Sequence, residues 1–155
     1  MQVLKFGGTS VADSNNMSKV VAIVSKAVES DRTILVSSAI SKCTDTLIEI
    51  GRRAAERDDS YVTLIDGLQR RHNDLITEFL PADRWKRVID DCDGVFGYLR
   101  GIAQGVCLLG ELSPVSLDAI QGCGELLSTK ILAAKFDTLG TAYRWIDSRT
   151  IFKTT

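Results

Sequence analysis

The sequence lacks several features that would assign it to a functional class at once. It has no internal repeat, and no apolar run approaches the roughly 20 residues of a membrane span. Its 19 basic and 20 acidic residues leave a net charge of −1. A nearly neutral chain gives no electrostatic reason to bind nucleic acid or an anionic membrane. We therefore expect neither partner.

Cysteine and histidine are sparse and scattered. The four cysteines (Cys43, Cys92, Cys107 and Cys123) form no CxxC pair, and the single histidine, His72, is distant from them in sequence. Zinc needs clustered soft ligands, and a Ser-His-Asp triad would have to use this one histidine. The sequence therefore predicts neither a metal site nor such a triad. Cys92 falls on an apolar helical stripe and is expected in the core, whereas His72, flanked by polar and charged residues, is expected on a helix surface.

Length and composition are those of a globular domain. The 155 residues are 45% hydrophobic and 25% charged, and a chain of this length can bury roughly 70% of its unfolded surface. Free thiols are typical of a reducing compartment, and the opening sequence MQVLKF, which runs directly into a Gly-rich turn, is not typical of a signal peptide. We expect a cytoplasmic location.

The apolar pattern of the first forty residues predicts a strand–helix–strand unit. Short apolar runs at 3–6 and 33–36 indicate buried strands, and helical spacing at about 16–29 indicates an amphipathic helix between them. Strands joined in this way are parallel. The sequence therefore predicts a parallel sheet with helices on both faces.

The rest of the chain is mostly helical in pattern. No strand signal appears from about 45 to 104, which indicates a helical insertion beside the sheet. A later helix begins at Ser113-Pro114, is expected to bend near Gly122 and Gly124, and ends at Gly140. Residues 141–146, TAYRWI, indicate a third strand. Because three strands are few for such a sheet, the pattern resembles the front part of a larger α/β protein.

The first candidate site is the sequence KFGGTS at residues 5–10, between the first strand and the first helix. Gly7 and Gly8 let the backbone approach an anionic group and leave amide N–H groups free to bind it. Lys5 precedes the glycines, so this is not a Walker A loop, in which the lysine follows them. The alternative is a plain tight turn beside a solvent-facing lysine.

Two further candidates lie later in the chain. Hydroxyls follow the second strand at Ser38, Ser41 and Thr44, at the sheet edge where open α/β sheets bind ligands. The alternative is that Ser41 or Thr44 caps the next helix. Glu125, just after Gly124, could receive a ligand ammonium group, and the alternative is a solvent-facing glutamate.

Five segments resemble aspartate kinases in order and spacing. KFGGTSV at 5–11 resembles the N-terminal signature of that family, and the loop at 37–44 resembles its second-strand loop. LGELSP at 109–114 and GELLS at 124–128 resemble its helical region, and WIDSR at 145–149 resembles the strand and loop that follow. The resemblance covers essentially the whole chain.

The resemblance implies the amino-acid-kinase fold and ATP-dependent phosphorylation of the side-chain carboxylate of L-aspartate, with Mg²⁺, as the first step toward lysine, threonine, methionine and isoleucine. It also implies a role for each matching residue. Lys5 would stabilise the transferring phosphoryl group, the ATP phosphates would be bound by Lys5, Gly7, Gly8, Thr9 and Ser38, and aspartate would be bound by Thr44 and Glu125.

The same resemblance implies that residues 1–155 are the N-terminal portion of a kinase domain, without its C-terminal nucleotide lobe and regulatory ACT domains. We therefore expect a homo-oligomer in the complete protein and no activity from the 155 residues alone. Two alternatives stay open: another amino-acid kinase, of the acetylglutamate or glutamate type, and a non-catalytic fragment that only binds or assembles.

Overall fold

A computed structural model describes residues 1–152, which form two strands, five α-helices and a terminal 3₁₀ turn. In chain order the elements are β1 (Gln2–Phe6), α1 (Ser14–Ser30), β2 (Thr33–Ser37), α2 (Cys43–Ala55), α3 (Ser60–Phe79), α4 (Ala82–Leu109), α5 (Pro114–Thr138) and the 3₁₀ turn Ser148–Thr150. The predicted α/β class, with helices filling the middle of the chain, is confirmed.

β1 and β2 form a parallel two-stranded sheet joined through α1, as predicted. Lys5 lies opposite Val36, and Phe6 lies opposite Ser37. Asp13 caps α1, because its carboxylate accepts from the Asn16 amide at 2.8 Å. The cap and the two short apolar runs therefore account for where these three elements begin and end in the sequence.

Within residues 1–152 the helices cover one face of this sheet, and its other face is open, so the part of the sheet described is incomplete. Side chains alternate along each strand, and the inward set packs against the core: Leu4, Phe6 and Leu35. The outward set stays open, with exposed fractions of 59%, 46% and 44% for Val3, Ile34 and Val36. An apolar outer face indicates a sheet patterned for burial on both sides.

The core lies mainly between the helices. α4 packs along α5, and α2 contacts α3, α4 and α5. Cys92 is fully buried there, as predicted. His72 is also fully buried, so the expectation of a surface position is wrong. Its Nδ1 lies 2.8 Å from the Leu68 carbonyl, and its ring meets Phe96 edge-on at 5.6 Å. The apolar spacing of α3 outweighs the charged neighbours that suggested exposure.

The third strand expected at 141–146 does not form among the described residues. These residues are irregular and lie beside α5, where the Trp145 indole N–H donates to Thr129 Oγ1 at 3.1 Å. The ammonium of Lys130 lies 4.6 Å from the Trp145 ring centre. An alternating pattern favours an extended backbone, but a strand also needs a neighbouring strand to bond with, and none flanks this segment within residues 1–152.

Both predicted boundaries of α5 are confirmed, whereas the predicted bend is not. Ser113 caps its start by accepting from the Ser116 amide at 3.1 Å. Gly140 follows its end with a left-handed φ of 67°, and the next amide, of Thr141, donates back to Phe136 O at 3.1 Å. Between these two ends, α5 runs unbroken through Gly122 and Gly124, where the bend is predicted.

Candidate functional site

Two loops meet at the carboxyl end of the parallel sheet. The loop after β1 turns at once, because the Ser10 amide donates to Gly7 O at 3.0 Å. The loop after β2 is tied to β1 by the Ser38 amide, which donates to Phe6 O at 3.0 Å. A Cβ atom on Gly8 would lie 3.1 Å from Ala39 O, so only glycine fits comfortably between the loops.

The first loop presents free backbone donors. Within residues 1–152, the amides of Gly7, Gly8 and Thr9 donate to no acceptor. The space beside Gly7 is open, with no atom within 4 Å of where a Cβ would stand. Neighbouring free amides beside open space suit an anionic group such as a phosphate.

Lys5 lies on the outward face of β1, opposite Val36. Its side chain is exposed and forms no hydrogen bond or ion pair with the part of the chain that the structure describes. The ammonium is therefore available to an external anion. Lys5 lies two residues before Gly7, on the strand that leads into the loop.

α5 reaches this edge from elsewhere in the chain through Gly124. A Cβ atom on Gly124 would lie 2.7 Å from the Ala39 Cβ, 3.2 Å from Cys43 Sγ and 3.2 Å from Leu47 Cδ1. Real Cβ atoms essentially never come as close as 2.7 Å to another carbon. Gly124 therefore permits a close approach of α5 to the second loop, and this accounts for its presence inside a helix.

Two side chains of α5 contact the second loop. Glu125 Oε1 accepts from the Ala39 amide at 3.4 Å, and the buried Ser128 hydroxyl donates to Ser38 O at 2.7 Å. Glu125 is exposed, as the alternative interpretation expects, but its carboxylate also contacts the second loop. Since 3.4 Å is long for an N–H···O bond, Glu125 is only loosely engaged. Ser128 was not singled out from the sequence, although it lies one turn after Glu125 on the same helix face.

The remaining predicted residues lie on the same two loops or at the start of α2. Thr9 is exposed and Thr44 is half-buried in the first turn of α2. The alternative in which Ser41 or Thr44 caps α2 is wrong, because the cap residue is Lys42, in a left-handed conformation (φ 62°) and without a side-chain capping bond. The Thr44 hydroxyl is therefore not used in capping.

The cysteines nearest this edge do not supply a nucleophile. Burial raises the pKa of the Cys43 thiol to about 12 and that of Cys123 to about 11. Both are therefore protonated near neutrality, and a thiol is a far weaker nucleophile than a thiolate. The described residues also contain no group of three His, Cys, Asp or Glu side chains able to hold a metal ion.

Two surface cavities, of about 170 and 350 Å³, lie away from this edge. Both are bordered by Asp91, Lys130 and Trp145, where residues 141–149 cross α4 and α5. Neither includes the two loops or Glu125.

The chain is similar along its length to proteins named as aspartokinases. It is 32% identical over 149 residues to the bifunctional aspartokinase/homoserine dehydrogenase 1 of Arabidopsis thaliana, which covers 96% of this chain and 16% of that protein. It is 31% identical to aspartokinase 1 of the same organism, with 94% and 25% covered. The chain therefore spans a quarter or less of each of these two relatives.

The fold also matches a solved structure. The crystal structure of E. coli aspartokinase III in complex with aspartate and ADP superposes with a TM-score of 0.80 at 25% identity, covering 96% of this chain and 31% of that one. In the described part of this chain, no helix is long and apolar enough to cross a membrane. The model of the amino acid kinase family matches residues 1–154, and the chain therefore belongs to that family.

Proposed function

We propose that this chain is the N-terminal portion of an aspartate kinase, which transfers the γ-phosphate of ATP to the side-chain carboxylate of L-aspartate and gives 4-phospho-L-aspartate. The observation that carries the proposal is the contact of Glu125 with the Ala39 amide, 86 positions away in sequence, at the edge where the two sheet loops meet. Glu125 contacts Ala39, and the loop that carries the free amides approaches Ala39 at Gly8, so this edge offers a carboxylate for an ammonium and amides for a phosphate. The relatives named as aspartokinases, and the E. coli structure with aspartate and ADP, favour aspartate and ATP as the ligands.

At the phosphate end, the chain's own groups would bind and neutralise charge. The free amides of Gly7, Gly8 and Thr9 would bind phosphate oxygens, and the Ser38 hydroxyl would add a donor from the second loop. Lys5 would stabilise charge on the transferring phosphoryl group. Phosphoryl transfer depends mainly on such positioning and charge stabilisation, so a lysine and oriented amides suit the step.

At the acceptor end, Glu125 would bind the α-ammonium of aspartate. The long 3.4 Å contact with the Ala39 amide leaves the carboxylate free to form a shorter, charge-assisted bond. Thr44, whose hydroxyl does not cap α2, would donate to a carboxylate of the substrate. Together they would orient the side-chain carboxylate of aspartate toward the phosphate.

Mg²⁺ would enter with ATP. Residues 1–152 supply no cluster of side chains for a metal ion, and magnesium in phosphotransferases is held largely by nucleotide phosphates and water. The ion would add charge neutralisation at the phosphates. The roles proposed for Lys5, the loop amides and Glu125 do not depend on a metal ligand from this part of the chain.

The test is an ADP-release assay on the full product of the gene that encodes this chain. L-aspartate, N-acetyl-L-glutamate and L-glutamate are compared as acceptors, and the 155-residue chain is assayed beside it. We expect release that depends on aspartate from the full product and none from the 155 residues. Preference for either glutamate-type acceptor would replace the proposal with another amino-acid kinase, and no release with any acceptor would favour a binding or assembly role.

Three further properties belong to the same proposal. Aspartate phosphorylation would serve the synthesis of lysine, threonine and related amino acids, in the cytoplasm. The full product would form a homo-oligomer, for which light scattering after size-exclusion chromatography is the measurement. Growth of a gene-deletion strain on minimal medium with and without these amino acids, and fluorescence microscopy of a tagged full product, would test the other two.

A further inference from the structure

The peptide unit between Ser38 and Ala39 is held at both ends by one helix. The Ser128 hydroxyl donates to the carbonyl of this unit at 2.7 Å, and Glu125 Oε1 accepts from its N–H at 3.4 Å. In a trans peptide the carbonyl and the N–H point in opposite directions. The unit therefore lies between a donor and an acceptor that are one helical turn apart.

The Ser128 hydroxyl is the stronger of the two contacts. Its side chain is fully buried, and its oxygen also lies 3.2 Å from the Glu125 carbonyl, a bond within the helix. Because the hydroxyl has only one proton to donate, it forms the shorter and better bond, the one to Ser38 O. Serine is also a poorer helix former than alanine, so helix formation does not explain a serine here.

We infer that Ser128 is a positioning residue for the aspartate end of the site. By fixing the Ser38 carbonyl, its hydroxyl fixes the Ala39 N–H toward Glu125 and thereby the direction in which the Glu125 carboxylate is presented. Loss of the hydroxyl frees the peptide plane to rotate, and the Glu125 carboxylate then loses its only hydrogen-bond partner among the described residues. The part of this inference that concerns aspartate rests on the proposed function. The part that concerns the rigidity of the second loop rests on geometry alone.

Gly124 makes this arrangement possible, because the hydroxyl reaches the loop only if α5 approaches closely. Ser128 follows Glu125 by three positions and Gly124 by four. Its side chain therefore lies between these two residues on one side of α5. Gly124 meets the Ala39 side chain while Ser128 and Glu125 meet the peptide beside it. The three residues therefore act on a single two-residue segment of the second loop.

The test compares Ser128→Ala, Ser128→Cys and a matched control, Ser25→Ala. Ser25 is a partly buried serine on α1 whose hydroxyl has no hydrogen-bond partner in the described part of the chain, so its loss removes no bond. The first readout is amide hydrogen exchange in the 155-residue chain, at Ser38 and Ala39. The Gln2 amide, which donates to Arg32 O at the other end of the sheet, is the internal reference.

We expect Ser128→Ala to speed exchange at Ser38 and Ala39 by about threefold to tenfold relative to Gln2, the effect of one net hydrogen bond. Ser128→Cys, of nearly the same size but with a weak donor, should fall between Ser128→Ala and the wild type, and Ser25→Ala should match the wild type. A Ser128→Ala variant that leaves these ratios unchanged, or that speeds all three amides equally, overturns the inference. If Ser128→Ala fails to fold, the exchange rates of Ser38 and Ala39 relative to Gln2 in Ser128→Cys decide by the same criterion.

The second readout is steady-state kinetics of the full gene product. The KM for aspartate should rise about threefold to tenfold in Ser128→Ala, and the KM for ATP should rise by a smaller factor, because Ser38 is only one of the residues proposed to bind the phosphates. Equal changes in both constants would indicate a merely structural serine and overturn the inference. A wild-type product without aspartate-dependent ADP release would refute the proposed function alone, because the exchange ratios would still decide whether Ser128 orders the loop.

Discussion

Replacing Gly124 by alanine tests the close contact between α5 and the second loop. The added methyl would lie 2.7 Å from the Ala39 Cβ and 3.2 Å from Cys43 Sγ. Both neighbours are buried, and the Ala39 Cβ is rigidly attached to the backbone, so neither can simply turn aside. α5 or the loop must therefore move.

The chain offers a matched control two residues earlier. Gly122 is in the same helix, and a Cβ there would have no neighbour within 4 Å. Each Gly→Ala change gains about 1 kcal/mol of helix propensity. Overpacking a dense core costs about 1–3 kcal/mol. Because the gain in helix propensity is the same in both variants, Gly124→Ala should be less stable than Gly122→Ala by about 1–3 kcal/mol.

Urea unfolding of the 155-residue chain, followed by circular dichroism, measures this difference directly. For a domain of this size, 1 kcal/mol corresponds to roughly 3 °C in Tm, so thermal unfolding should separate the variants by roughly 3–9 °C. Gly122→Ala should equal or exceed the wild type. Equal stability of the two variants would refute the reasoning, because it would mean that α5 and the loop do not pack as closely as the structure indicates.

Three further changes address the site and the buried histidine. In the full gene product, Lys5→Ala should lower kcat by at least about 100-fold with little change in the aspartate KM, because charge on the phosphoryl group is stabilised mainly in the transition state; a near-normal kcat would contradict that role. Glu125→Gln should raise the KM for aspartate about tenfold or more and that for ATP by less than twofold, and equal changes would mean that Glu125 serves only the loop. Burial lowers the pKa of His72 to about 4 from 6.5, so the unfolded chain binds a proton more readily than the folded one. The resulting stability is present above pH 6.5 and is lost as the pH falls toward 4. Urea unfolding should show about 2 kcal/mol lost between pH 7 and pH 5 in the wild type beyond any loss in His72→Met, and parallel pH profiles would contradict the assignment.

Local sequence predicted the elements that depend on local interactions. β1, α1 and β2 follow from two short apolar runs and a helical stripe, and the start of α5 follows from a serine cap before a proline. Glycine at position 140 marks the end of that helix because the backbone there adopts a left-handed conformation. In each of these cases one or a few neighbouring residues determine the structure.

Features that depend on distant partners could not be predicted in the same way. Residues 141–146 have the alternation of a strand, but no strand lies beside them in the described part of the chain. His72 has charged neighbours along the chain, yet α3 packs it against Phe96 of α4. In both cases the sequence pattern is real, and the outcome depends on what lies alongside in space.

The candidate site combines both kinds of information. The glycines after β1 and the hydroxyls after β2 could be assigned to one sheet edge, because parallel strands place their carboxyl ends together. The sequence indicates Glu125 only as a charged residue beside a glycine within an apolar helix. Its contact with Ala39, and that of Ser128 with Ser38, join residues 86 and 90 positions apart, which no local pattern reveals.

The role of Gly124 differs from the one that helix propensity suggests. Glycine inside a helix commonly indicates weakness or a bend, and the sequence predicts a bend near both Gly122 and Gly124. The helix is instead continuous, and only Gly124 faces a neighbour that a methyl would strike. Because Glu125 and Ser128 share that face, the tight packing that Gly124 permits also sets how the second loop is presented. A variant that disturbs this packing should therefore alter the aspartate end of the site more than the phosphate end, since Lys5, Gly7 and Gly8 form no described hydrogen bond with α5, and Ser38 is the one proposed phosphate-binding residue that does.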